Sequence, residues 1–167
     1  SGLGFTMAGG AGAAVSPARL AIAGKNAVVD WVLLELRNKN NPAQILATRP
    51  ALLERDGDVV DVNGNSRIIF PVAADNYFVA VRHRNHFGAR SQNTIALGAN
   101  EAVLDLTLAG TGVHGTDARG TLSNGKRGLW AGNVVRDNVL LYTGANNDRD
   151  VILQDIGGSI PTNSVSG

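Results

Sequence analysis

The feature that most constrains this fold is a nine-residue run, Val28 to Leu36, in which valine, tryptophan and leucine follow one another almost without a break. Only Asp30 and Glu35 interrupt it. β-Branched and aromatic side chains suit a pleated, buried surface better than a helix. Asn38-Lys39-Asn40-Asn41-Pro42 then stops the run with turn formers. A strand with apolar residues at successive positions is expected to be covered on both faces.

Further strand signals follow. Gln44–Thr48 and Ala51–Leu53 are short candidates. Val59–Val62 and Arg67–Val72 flank Asn63-Gly64, whose residues supply the positive φ angles of a tight hairpin. Pro71 lacks a ladder donor, so it belongs at an edge or bulge. In Asn76–Arg84, strand alternation places Tyr77, Val79, Val81 and His83 on one face. Asn93–Leu97 is a weaker strand. Ala102–Leu108 alternates, with Leu104, Leu106 and Leu108 directed inward. Six or seven short strands separated by turns predict an all-β, antiparallel sandwich, immunoglobulin-like or jelly-roll-like.

The organisation reads as three parts. Residues 1–26 form a Gly/Ala-rich arm, residues 27–110 the β-sandwich domain, and residues 111–167 a Gly-rich connection leading into a loop–helix appendage. In that appendage Asn147 or Asp148 caps a helix carrying Val151, Ile152, Leu153 and Ile156, and Gly157-Gly158 ends it. The start, Ser1-Gly2-Leu3-Gly4, is expected to be a processed or truncated end.

Composition narrows the function classes. Hydrophobic residues reach 44%, enough for a core, while charged residues are only 17%, so Asn, Ser, Thr and Gly carry the surface polarity. Net charge is +1, and the one basic cluster, Arg82, His83, Arg84 and Arg90, is too sparse to track phosphates, so no nucleic-acid partner is expected. Without cysteine there are no disulfides or thiolate sites. No apolar run has the length of a membrane span, and no membrane insertion is expected.

The strings Asp30–Arg37, Ala51–Asp61 and Val81–His86 resemble a region near the C-termini of large secreted proteins of the Bacteroidetes described as hemagglutinin-like or adhesin-like. Tyr142–Leu153 is similar to a dockerin-like, calcium-type repeat found there. The resemblance covers about residues 27–167. It implies export, plausibly by the type IX route, display on the cell surface or in the extracellular space, and no catalytic activity.

In that repeat, oxygen ligands occupy alternate loop positions followed by a turn glycine and a later carboxylate. Here Asn133 and Asp137 retain ligand oxygens, Val135 does not, and Asn138 stands where the glycine belongs. The remaining ligands are expected from Asn146, Asp148 and Asp150, with Asn147 nearby. Calcium is the cofactor this pattern admits; the competing reading is a degenerate loop whose Asn and Asp residues make turns and cap the helix. Asp56-Gly57-Asp58 with Asp61 is a second acidic cluster that reads first as a turn.

His83 and His86 fall on opposite faces of a strand unless the chain turns, so a shared metal is not expected. No Gly-x-Ser-x-Gly elbow and no phosphate loop occurs. Trp31 and Phe70 read as core, and Trp130, after a glycine-rich stretch, is the aromatic best placed to meet a ligand. The expected function is a non-enzymatic structural or adhesive module of a surface-displayed multidomain protein. The alternatives are a carbohydrate-binding module for surface glycans, and a fibre subunit. In the fibre, Leu3, Phe5 and Met7 of the arm would add as a strand to a neighbouring domain or copy.

Overall fold

The computed structural model describes residues 13–135, 137, 139–155 and 157. Leu3, Phe5 and Met7 lie outside them. The run at Val28–Leu36 lies in β1 (Val28–Asn38), the central strand of an antiparallel six-stranded sheet. β2 (Ile45–Glu54) and β4 (Asp75–Arg82) flank it. β3 (Val59–Val60) extends the sheet beyond β2, while β5 (Ala89–Arg90) and β6 (Ile95–Leu97) pair with different stretches of β4. A separate ribbon joins β7 (Gly120–Thr121) to β8 (Arg127–Gly128). With the short helix at Asp148–Asp155, the fold is all-β and sandwich-like. Among the described residues no helix is long and apolar enough to cross a membrane.

Five successive residues of β1, Val32 to Leu36, are buried, as expected for a strand covered on both sides. The even positions meet apolar neighbours. Val32, Leu34, Ala51 and Val81 cluster beneath Leu53, Ile68, Phe70 and Leu106, and Leu36, Ala47 and Tyr77 continue that core beneath Phe70, Val72 and Leu97. The covering layer on this face is largely irregular chain rather than a second ladder.

Two expected strands are absent for one reason. The Asn63-Gly64 turn forms, with Asp61 N–H donating to the Asn65 carbonyl at 2.8 Å, Gly64 N–H to that of Asp61 at 2.7 Å, and Gly64 at φ 85°. Its return segment 67–72 pairs with nothing, because Asn65 Oδ1 takes the Arg67 N–H at 2.9 Å and Pro71 has none to give. Likewise Asp105 Oδ1 takes both the N–H and the hydroxyl of Thr107 at 2.7 Å, bending 102–108 into a turn. Leu106 still packs on the core, but Leu108 is exposed.

Gln44–Thr48 and Ala51–Leu53 are one strand, not two, despite Pro50 within it. Glu54 N–H donates to the Asp58 carbonyl on the β3 side, so by alternation the Pro50 nitrogen faces that side too. β3 reaches only Leu52 and Leu53, so Pro50 sits on the open edge, where a missing donor costs no ladder bond.

The arm carries regular structure from residue 16 onward. Ser16 caps a one-turn helix, Pro17–Leu20, with proline in its first turn, and a 3-10 turn follows at Gly24–Asn26. Arg19 is buried in an ion pair with Glu54, whose other oxygen accepts from Asn26 Nδ2 at 3.1 Å. The Gly-rich connection is also part of the sheet. Val113 bridges Ser91, Gln92 N–H donates to Gly112, and His114 N–H to Arg90. Arg119 gathers the carbonyls of Leu106, Leu108 and Thr111.

Candidate functional site

The acidic turn after β2 is the first candidate. One carboxylate oxygen each of Glu54, Asp56 and Asp58 lie within 4.8 Å of one another, so the group could hold a metal ion. Both oxygens of Glu54, however, are already held by Arg19 and Asn26, and Asp56 and Asp58 are exposed. Asp61 does not join them: its carboxylate serves Arg49 at 2.6 Å and the Val62 N–H at 2.6 Å.

The ligands expected around residues 133–150 come together as a hydrogen-bonded clamp. Asp148 is buried, and its two oxygens accept the N–H groups of Val135 and Leu141, each at 3.0 Å. Burial pushes its carboxyl up, but these donations, with one from Val134, hold it below the ordinary value. Asn147, fully buried, accepts the Asp150 N–H at 2.9 Å as the helix cap, and Asp150 accepts in return from Asn147 Nδ2. Asp137 Oδ1 accepts the Val139 N–H, and Asn133 Nδ2 donates to the Asp137 carbonyl at 3.3 Å. Asn146 takes a left-handed φ of 57° in the turn before the helix. Asn133 Oδ1 alone is buried without a partner. Calcium needs six to eight oxygens. With Val135 lacking one and Asp148 engaged on both, this donor set fits the ion poorly. The apolar stripe of the helix is not buried: Val151, Ile152 and Leu153 are all exposed.

The histidines meet because the chain turns at residues 83–85. His83 Nδ1 and His86 Nδ1 are 2.9 Å apart with their rings edge to face, and His83 Nε2 lies 3.2 Å from Asp30 Oδ2, which also accepts from Arg84. The Asn85 N–H also points at His83 Nδ1, at 3.4 Å. Burial, then the charge of His83, pushes the His86 imidazole below its ordinary value of 6.5. The pair sits at the seam with the C-terminal segment, where Phe87 N–H donates to the Trp130 carbonyl and Gly132 N–H to that of Asn85. Trp130 is half-exposed and also anchored. Its indole donates to the Asp117 carbonyl at 2.7 Å, and its ring lies so close over Gly120 that a Cβ there would come within 3.0 Å.

The odd-numbered face of β1 and the matching face of β4 build a different feature. Glu35 and Arg37 share it with Phe78, Ala80 and Arg82, and Arg90 of β5 lies opposite Ala80. Glu35 is buried and accepts from Arg37 Nε and Nη2 at 2.9 and 2.5 Å, with Arg82 Nε at 3.9 Å from its other oxygen. Arg37, Arg82 and Arg90 line an open cleft of about 600 Å³ whose other walls include His114, Gly115, Thr116, Ala118 and Asp137. Arg37 is satisfied, donating also to the Pro42 carbonyl. Arg82 and Arg90 are not: neither guanidinium has a hydrogen-bond acceptor among the described residues. Arg90 stacks over the Phe78 ring at 4.5 Å, its Nη1 buried and unpartnered. Burial and then the charge of Arg37 push its pKa down. Gly88 makes room for Arg82, since a Cβ there would stand 3.0 Å from the Arg82 Cδ. Sequence reading grouped Arg82 and Arg90 only as a basic cluster. The usable signal was Arg37 and Arg82 at interior positions of otherwise apolar strands.

Comparison with protein-family models, with curated proteins and with solved structures finds no match for this chain.

Proposed function

We propose that this chain is a non-enzymatic adhesive module of a secreted, surface-displayed multidomain protein, and that it works by recognition at the cleft between the sheet and its C-terminal segments. The cleft carries this reading: Arg82, a third exposed, and Arg90, whose Nη1 is buried without an acceptor, line a concave surface at the seam of two parts of the chain. Buried donors without acceptors are costly and are expected where a partner completes them. The buried carboxylates, which acid–base chemistry would need, hold the chain together instead: Glu35, Glu54, Asp61 and Asp148 each serve an arginine or a backbone amide. The resemblance read from Asp30–Arg37 and Val81–His86 would put this module outside the cell. Calcium is given no part in recognition, because the clamp at 133–150 is closed by hydrogen bonds.

The test is attachment. Beads coated with the folded chain should bind glycan-bearing animal cells saturably, and soluble chain should compete. Attachment no greater than that of beads carrying heat-unfolded chain overturns the proposal.

A further inference from the structure

We infer that the cleft lined by Arg37, Arg82 and Arg90 binds a single carboxylate carried on a hydroxylated ring, the chemistry of an acidic sugar. This rests on the recognition reading above and gives its ligand class. Arg37, Arg82 and Arg90 line the cleft, Asp137 is the acidic residue in the same lining, and Glu35 lies against Arg37 and Arg82. Glu35 satisfies Arg37 and stands 3.9 Å from Arg82, while Arg90 has only the face of Phe78. The surplus is therefore one positive charge, which a monoanion balances and a dianionic phosphate exceeds. Guanidinium is planar and forked, so those donors of Arg82 and Arg90 that reach the cleft suit a carboxylate.

The space also bears on the ligand. About 600 Å³ is far more than a bare carboxylate fills and lies in the range of small-molecule sites. The walls mix Phe87 and Pro42, against which the C–H face of a ring can lie, with Thr116 and His114, which can meet hydroxyls. Gly88 leaves room for the Arg82 stem and the Val81 carbonyl, each of which would stand 3.0 Å from a Cβ placed there.

The experiment titrates the full chain with glucuronate, glucose, acetate and glucose 6-phosphate, following the arginine Nε–H signals by ¹H–¹⁵N NMR. Glucuronate should shift the Arg82 and Arg90 signals saturably, with glucose and acetate leaving them in place at the same concentration and glucose 6-phosphate binding more weakly. Arg82→Gln should weaken glucuronate binding by about tenfold or more, since a charge-assisted pair is lost. Gly88→Ala, which crowds Arg82, should weaken it in a chain that keeps Arg82. Equal shifts from glucose, equal shifts from acetate, tighter binding of the phosphate, or unchanged affinity in both variants each overturn the inference. Cell attachment retained without glucuronate binding overturns the ligand class alone. Glucuronate binding without attachment overturns the adhesive reading beneath it.

Discussion

On β1, Val32, Leu34 and Leu36 look toward an apolar cover, whereas Glu35 and Arg37, interleaved with them, look toward the cleft. One strand thus builds two kinds of interior. The first is held by removal of apolar surface from water, which is indifferent to charge and has no directional requirement. The second is held by compensated charge, and it tolerates burial only while each carboxylate keeps its arginines. The comparison shows how a chain with few charged residues can bury some of them: it places them at alternate positions of strands whose other positions already secure the fold.

The largest expected effect tests the apolar face. Leu36 is fully buried, so Leu36→Ala should cost about 3 kcal/mol through lost burial and a cavity, measured by denaturant unfolding. Glu35→Gln should cost less, about 1–2 kcal/mol, because Arg37 and Arg82 are partly exposed and water shields them once the carboxylate is gone. If it costs as much as Leu36→Ala, the two faces do not differ in kind.

Acid sharpens the contrast next. His86 is held below 6.5 in the folded chain, so the unfolded chain takes up that proton first, and stability should fall as pH drops below 6.5. Asp148 is held below 3.8, so its contribution persists above 3.8 and is lost as pH falls through the folded value. Unfolding measured against pH should show two declines, and His86→Gln should flatten only the first. The smallest effect concerns the clamp: a chelator should leave the melting temperature unchanged. A rise with added calcium that Asp137→Ala abolishes would show that the loop keeps a cation.

Much of the fold was legible because its signals are local. β1, β4, β6, the turn at Asn63-Gly64, the Asn147 cap and the positive φ of Gly157 follow from runs, turn formers and capping chemistry. The segments 67–72 and 102–108 carry equally good alternation, but Asn65 and Asp105 divert the backbone donors that a ladder needs. Hydrophobic pattern alone does not reveal that competition. The site was less legible still. Arg19 seemed one of two charges in a flexible arm, and its partner Glu54 is distant in sequence. His83 and His86 join only through a turn. The cleft depends on β4–β5 register and on the path of residues 114–118, neither of which spacing encodes.

Pro50 has a consequence beyond the strand that contains it. Open sheet edges on separate copies of a domain can zip together. On β2, the stretch past the end of β3 is where that would start. There the nitrogen facing outward is an imino group with no proton to share, and its neighbour Arg49 is tied to Asp61. A strand arriving at this edge finds a gap in the ladder, which disfavours continuation of the sheet from one copy into another.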